Sequence, residues 1–222
     1  MKVEILAHRG WWLEAPQKNQ VIAFERAFAA GYGVETDVRD FNGRLVISHD
    51  MAQTDAMPLE RFLDIHHAYG KPGWLALNVK SDGLHAALGE ALLGAGIDRY
   101  FMFDMSVPDT LHYLKHGLTT FTRRSEYELG SSLDAEAAGI WWDCFEGAGD
   151  ALLAGSALRS GKAGVLVSPE LHHRQHDEVW RTWRDDIGGA SGRSTLMLCT
   201  DFPEEADRFF NRFGADTVLN DD

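Results

Sequence analysis

The chain has 222 residues, 45% hydrophobic and 11% aromatic, enough to bury the core of one domain. Its formal net charge of −13 opposes nonspecific binding to nucleic acid or to an anionic membrane, so any anionic ligand has to be drawn in by local cations. Cys144 and Cys199 lie far apart in apolar surroundings, which suggests neither a disulfide framework nor a cysteine-based zinc pattern and predicts two buried free thiols. Met1 leads straight into a strand, leaving no room for a signal peptide, and no apolar run is long enough for a membrane span; a cytoplasmic location is expected.

Short β-branched or aromatic runs alternate with amphipathic stretches, without a low-complexity linker. The pattern predicts strands at Val3–His8, Gly33–Val38, Trp74–Val79, Tyr100–Phe103, Leu118–Phe121, Gly139–Asp143, Ala163–Val167 and Thr195–Thr200. Helices are predicted at Val21–Ala30, Pro58–Ala68, Leu84–Gly94, Pro108–Lys115, Leu133–Ala138, Ala151–Arg159, Asp177–Asp186 and Pro203–Phe213. Leu45–Ser48 reads as a hairpin arm and Thr217–Leu219 as a closing strand. Eight strands with intervening helices predict an α/β fold, a (β/α)₈ TIM barrel formed as a single domain by residues 1–222.

The densest chemistry lies between Leu6 and Asp50. Ala7-His8-Arg9-Gly10 ends the first strand, Gly33-Val34-Glu35-Thr36-Asp37-Val38 is the second, and Leu45-Val46-Ile47-Ser48-His49-Asp50 follows an Asn42-Gly43 turn. Alternation along a strand points Glu35 and Asp37 the same way, so the two carboxylates can share one cation. His8 and His49 each end an apolar run, and two imidazoles near neutrality can serve as base and acid on opposite oxygens of a phosphate. Taken singly these are ordinary surface charges and loop histidines; taken as a set they point to phosphodiester chemistry.

With these residues the chain resembles the glycerophosphodiester phosphodiesterase family, whose pattern runs H-R-G, E-N-T, an A-F helix, G-x-E-x-D-V, a hairpin ending in H-D and a later E-x-K strand. His8-Arg9-Gly10, Asn19, Ala23-Phe24, Glu35-x-Asp37-Val38, Asn42-Gly43 and His49-Asp50 fall in that order. Three departures stand out. Lys18 replaces the Glu before Asn19, Asn78 replaces the metal-binding Glu of the E-x-K strand, and the connection from Met51 to Gly73 lacks the usual insertion. An amide oxygen still ligates Mg²⁺ or Ca²⁺ but brings no charge, which reduces the carboxylates from three to two.

The resemblance implies a metal-dependent phosphodiesterase acting on a small-molecule glycerophosphodiester or a related polyol or sugar phosphodiester. It implies a divalent metal, Mg²⁺ or Ca²⁺, held by Glu35, Asp37 and Asn78, a phosphate held by Arg9 and Lys80, and His8 and His49 as base and acid. In the later strand ends, Arg123 with Arg124 is either a solvated pair or a cradle for a second anionic group. Glu170 and His172 are candidates for contacting a sugar or polyol, with the alternative that His172, His173 and His176 form a surface loop. Asp143 is a candidate to restore the charge absent at Asn78, and Trp141, Trp142, Trp180 and Trp183 read as packing. Two rivals remain: a sphingomyelinase D-like lyase that leaves a cyclic phosphate, and a binding barrel without turnover.

Overall fold

The computed structural model describes residues 1–190 and 194–212. Ten strands and seven α-helices follow one another through these residues. The strands are β1 (Val3–His8), β2 (Gly33–Phe41), β3 (Arg44–Ile47), β4 (Met57–Pro58), β5 (Leu75–Val79), β6 (Tyr100–Phe103), β7 (Phe121–Arg124), β8 (Gly139–Trp142), β9 (Ala163–Val167) and β10 (Leu196–Thr200). The helices are α1 (Val21–Ala29), α2 (Leu59–Ala68), α3 (His85–Gly94), α4 (Val107–Lys115), α5 (Leu153–Ser160), α6 (Asp177–Gly188) and α7 (Pro203–Asp207).

Parallel pairing runs β6-β5-β2-β1-β10-β9-β8-β7, and a parallel bridge from Met102 to Thr120 joins β6 to the start of β7. Eight strands therefore close into the predicted barrel, while β3 and β4 form an antiparallel arm on the extended end of β2. No helix among the described residues is long and apolar enough to cross a membrane.

The helices form because their apolar residues recur on one face. Helix α1 buries Ala23, Phe24, Ala27 and Phe28, and α6 buries Trp180, Trp183 and Ile187 at i, i+3 and i+7 behind an acidic first turn. The barrel interior is filled by the inward residues of successive strands, Leu6, Ala76, Phe101, Phe103, Phe121, Trp141, Val165, Val167, Met197 and Cys199. Both cysteines are free and buried, and the four tryptophans singled out above are buried.

Three local expectations are corrected. Leu133–Ala138 forms turns, since six residues are too few to sustain a helix and the Asp134 carboxylate, bonded to Thr122 and Arg124, directs the segment instead. The strand expected at Leu118–Phe121 is β7, Phe121–Arg124. Leu118 belongs to the helical layer, packed close to Gly89 of α3, and the charged end of β7 hides its strand pattern. The helix expected from Pro203 stops at Asp207 and continues as a π-helical turn, Arg208–Arg212. That turn aims the Asn211 amide at both backbone polar groups of Val3, at 2.9 Å each, capping the start of β1. Thr217–Leu219 lies outside the described residues.

Candidate active site

Strand parity builds the site. Leu6 faces the barrel interior, so His8 does too; Val34 packs against the helices, so Glu35 and Asp37 face inward. Inward Ala76 likewise carries Asn78 and Lys80 to the inner rim, and inward Met197 and Cys199 carry Asp201. Parallel register sets His8 beside Glu35 and Asp37 beside Asn78. A slip of one residue would turn each of these groups outward.

His8 is held from one side and open on the other. Its Nδ1 lies 2.7 Å from Asp201 Oδ1; an ionised carboxylate only accepts, so Nδ1 carries the proton and Nε2 keeps its lone pair, 3.9 Å from Glu35 Oε2. Asp201 is braced in turn by Glu170, whose Oε1 accepts from the Asp201 backbone N–H at 3.1 Å and from the Thr200 hydroxyl. Ser168 donates to the other Glu170 oxygen and receives the Trp180 indole N–H at 2.8 Å. Glu170 thus lies behind Asp201, with both its oxygens engaged.

Asp37 gathers the cations. Arg9 Nε lies 3.2 Å from Asp37 Oδ2 and Lys80 Nζ 3.5 Å from Oδ1, while the Asn19 amide donates to Oδ2 at 2.9 Å and accepts from Thr36 at 2.8 Å. Lys80 also reaches Asp104 at 3.7 Å, and Asp104 accepts from Arg123 at 2.6 Å. Arg9, Asn19 and Asp104 have positive φ of 56°, 58° and 72°, a backbone strain concentrated where the cluster needs these side chains. The first two are locked by backbone bonds from Arg9 to Glu35 and from Asn19 to Arg9, at 2.8 and 2.9 Å.

His49 stands on the arm. The Ser48 amide donates to the Asp37 carbonyl at 3.1 Å, and beyond it His49 lines a cavity of about 390 Å³ with Arg9 and Asn19. Its Nδ1 lies 2.8 Å from Asp50 Oδ1, and this bond holds the Asp50 carboxyl below its ordinary value. The structure brings His8, Arg9, Glu35, Asp37, Asn78 and Lys80 together, with His49 joined to them through the Arg9 cavity. Arg123 stands at one remove, paired with Asp104 and Glu128. His172 pairs with Asp143 at 2.7 Å, which directs Asp143 to that imidazole. Asp201 and Asn19 are the partners that strand and motif reading left without a role. An Asp just beyond the last barrel strand and an Asn beside Lys18 were the available signals.

The donor set fits a hard cation. Glu35 Oε2, Asp37 Oδ1 and Asn78 Oδ1 are buried oxygens without a hydrogen-bond partner, Asp37 Oδ1 having only the Lys80 ion pair, and a shared oxygen-preferring ion would satisfy all three. Burial, then the neighbouring Asp37 carboxylate, raises Glu35 to about 7. A carboxyl raised in the folded chain gives its full contribution to stability below its unfolded value and loses it as pH rises through the folded one. A cation binds only the carboxylate. The rise in Tm on adding Ca²⁺ or Mg²⁺ is therefore expected to be larger at pH 8 than at pH 6, and thermal unfolding at both values checks it. Asn78→Glu restores a third carboxylate; it is expected to lower Tm without added metal and to strengthen Ca²⁺ binding on the order of tenfold by calorimetry.

The closed barrel with its polar cluster at the strand ends defines a TIM-barrel protein, with the site on the face where that fold places its chemistry. The fold is that of the glycerophosphodiester phosphodiesterases. The structure is similar to a glycerophosphodiester phosphodiesterase from Parabacteroides distasonis, with a TM-score of 0.72 and 15% identity over 95% of this chain and 97% of that one. It is similar to one from Agrobacterium tumefaciens, with a TM-score of 0.62 and 14% identity over 91% and 98% of the two chains. A Ca²⁺-dependent phosphatidylinositol-specific phospholipase C from Streptomyces antibioticus gives a TM-score of 0.55 and 12% identity over 93% and 95%. No protein-family model matches the sequence, and no curated protein matches it.

Proposed function

We propose that this protein is a phosphoric diester hydrolase that cleaves a glycerophosphodiester, or a related polyol or sugar phosphodiester, to a phosphomonoester and an alcohol. The observation that carries this reading is the set of three buried oxygens without a hydrogen-bond partner on Glu35, Asp37 and Asn78, beside an imidazole whose proton is held on the far nitrogen by Asp201. Glu35, Asp37 and Asn78 would hold Mg²⁺ or Ca²⁺, which supplies Lewis-acid stabilisation of charge on a nonbridging phosphate oxygen. The neighbour from Streptomyces antibioticus, described as Ca²⁺-dependent, supports a divalent ion at this position.

Arg9 and Lys80, both ion-paired with Asp37, hold the phosphate against the rim. His8 Nε2 takes a proton from water as the new oxygen–phosphorus bond forms, and Asp201 stabilises the resulting imidazolium. His49, hydrogen-bonded through Nδ1 to Asp50, returns a proton to the departing alcohol as the second oxygen–phosphorus bond breaks. Arg123 and His172 lie further round the mouth, where the alcohol portion of the substrate would extend, and Glu170 acts through Asp201. The net charge of −13 supports a small molecule over nucleic acid as substrate.

Phosphorus NMR of a panel of glycerophosphodiesters with purified protein, in Mg²⁺, in Ca²⁺ and in chelator, tests the proposal. Metal-dependent appearance of a phosphomonoester is the expected result. Accumulation of a cyclic phosphate as end product would make the protein a lyase, and silence across the panel with metal binding intact would leave an unusual polyol diester as substrate or a binding barrel.

A further inference from the structure

The outer helical layer carries a second group of imidazoles that the barrel mouth does not use. His85 opens α3; His112 lies in the last turn of α4 and His116 follows it directly, four residues on, so the two share one helix face. Across the gap between the helices, the ring centre of His85 lies 5.1 Å from that of His112, with planes 14° apart, and 4.6 Å from that of His116. Two imidazoles bound to one tetrahedral ion, with metal–nitrogen bonds of about 2.1 Å and ring centres about 1.1 Å further out, have centres about 5 Å apart.

The hydrogen bonding leaves donor atoms free. His116 Nδ1 lies 2.7 Å from the His112 carbonyl oxygen, which only accepts, so the proton sits on Nδ1 and the Nε2 lone pair is available. His85 Nδ1 is buried without a hydrogen-bond partner. Carboxylates lie on the same cavity. Glu90 and Asp98 line a cavity of about 590 Å³ with His85 and His116, and Tyr113, whose ring centre is 5.9 Å from that of His85, has its hydroxyl raised by burial and by Asp109 and Asp82.

We infer that His85, His112 and His116 form a site for one divalent transition-metal ion, Zn²⁺, Ni²⁺ or Cu²⁺, that clasps α3 to α4. Three imidazoles select this class of ion, whereas the oxygen set of Glu35, Asp37 and Asn78 selects Mg²⁺ or Ca²⁺. The three donors do not converge as they stand; closing them on one ion takes rotation of His112 and His116, both exposed side chains, and exchanges the His116 bond to the His112 carbonyl for the metal bond. The clasp would reinforce two existing ties between the loop after Lys80 and α4: Ser106 Oγ donates to Asp82 at 2.9 Å, and the Gly83 amide donates to Asp109 at 3.1 Å.

The test is calorimetric titration of Zn²⁺ into the full chain in excess Mg²⁺, with Co²⁺ absorption as a readout of tetrahedral nitrogen ligation. A binding event that His116→Ala and His85→Ala each weaken by roughly tenfold or more, and that Glu35→Gln leaves intact, is the expected result. The visible Co²⁺ bands are expected to vanish in His116→Ala. Zn²⁺ titrations that match wild type in both His116→Ala and the double variant His112→Gln/His116→Gln would overturn the inference, as would Zn²⁺ binding abolished by Glu35→Gln alone. His112 and His116 are exposed, so these variants keep the fold, which circular dichroism verifies.

Discussion

His8→Ala is expected to lower kcat by about 10²–10⁴-fold, equivalent to roughly 3–5 kcal/mol of transition-state stabilisation, with a small change in KM. The reason is local: Nε2 is the nitrogen left with a lone pair once Asp201 fixes the other, and it faces Glu35 Oε2 across 3.9 Å. His49→Ala is expected to fall in the same range through loss of the acid. Asp201→Asn keeps the shape of the His8 partner while removing its charge, so it should lower kcat by less than His8→Ala does. Steady-state kinetics on a diester turned over by the wild type measures all three. Turnover like that of the wild type in both histidine variants would dismiss the acid–base assignment.

The second large effect is on stability. Trp141→Ala is expected to cost about 3–5 kcal/mol, a large share of the roughly 5–15 kcal/mol that holds a typical domain folded. Trp141 is buried in the barrel interior with its ring centre 4.0 Å from that of Phe103 and 6.3 Å from that of Phe101, which itself lies 4.0 Å from Phe121. Truncation at this stack leaves a void lined by rigid strands that cannot collapse to fill it. Phe103→Ala should cost a similar amount, and the double variant less than the sum, because each ring is the other's main partner. Urea unfolding followed by tryptophan-independent circular dichroism gives the values. A loss below about 1 kcal/mol would show that the interior tolerates the void. Phe103 directly precedes Asp104, so the same stack also seats the carboxylate that links Lys80 to Arg123.

Much of the barrel was legible because a strand's side-chain alternation is a local property. The apolar residues of β1, β2, β5 and β9 announced the strands, the common face of Glu35 and Asp37, and the strand ends at which His8 and Asn78 stand. The segment before β7 was misplaced for the same reason, since Leu118 supplies an apolar signal while serving the helical layer and the mouth residues Arg123 and Arg124 carry none. Leu133–Ala138 has helix-forming residues, yet the Asp134 carboxylate bound to Thr122 and Arg124 decides its path.

By itself, the sequence determined most of the order of strands and helices, the common face of Glu35 and Asp37 and the H-R-G, E-x-D and H-D spacing that carries the family resemblance. Only the tertiary structure decided which groups meet: Asp201 with His8 across 193 positions, Asn19 with Asp37, Glu170 behind Asp201, and His85 with His112 and His116. The physical reason is that periodicity along a strand or helix is set by neighbouring residues, whereas these partners are brought together by barrel closure and helix docking, which depend on burial summed over the whole chain and leave no mark in any one segment.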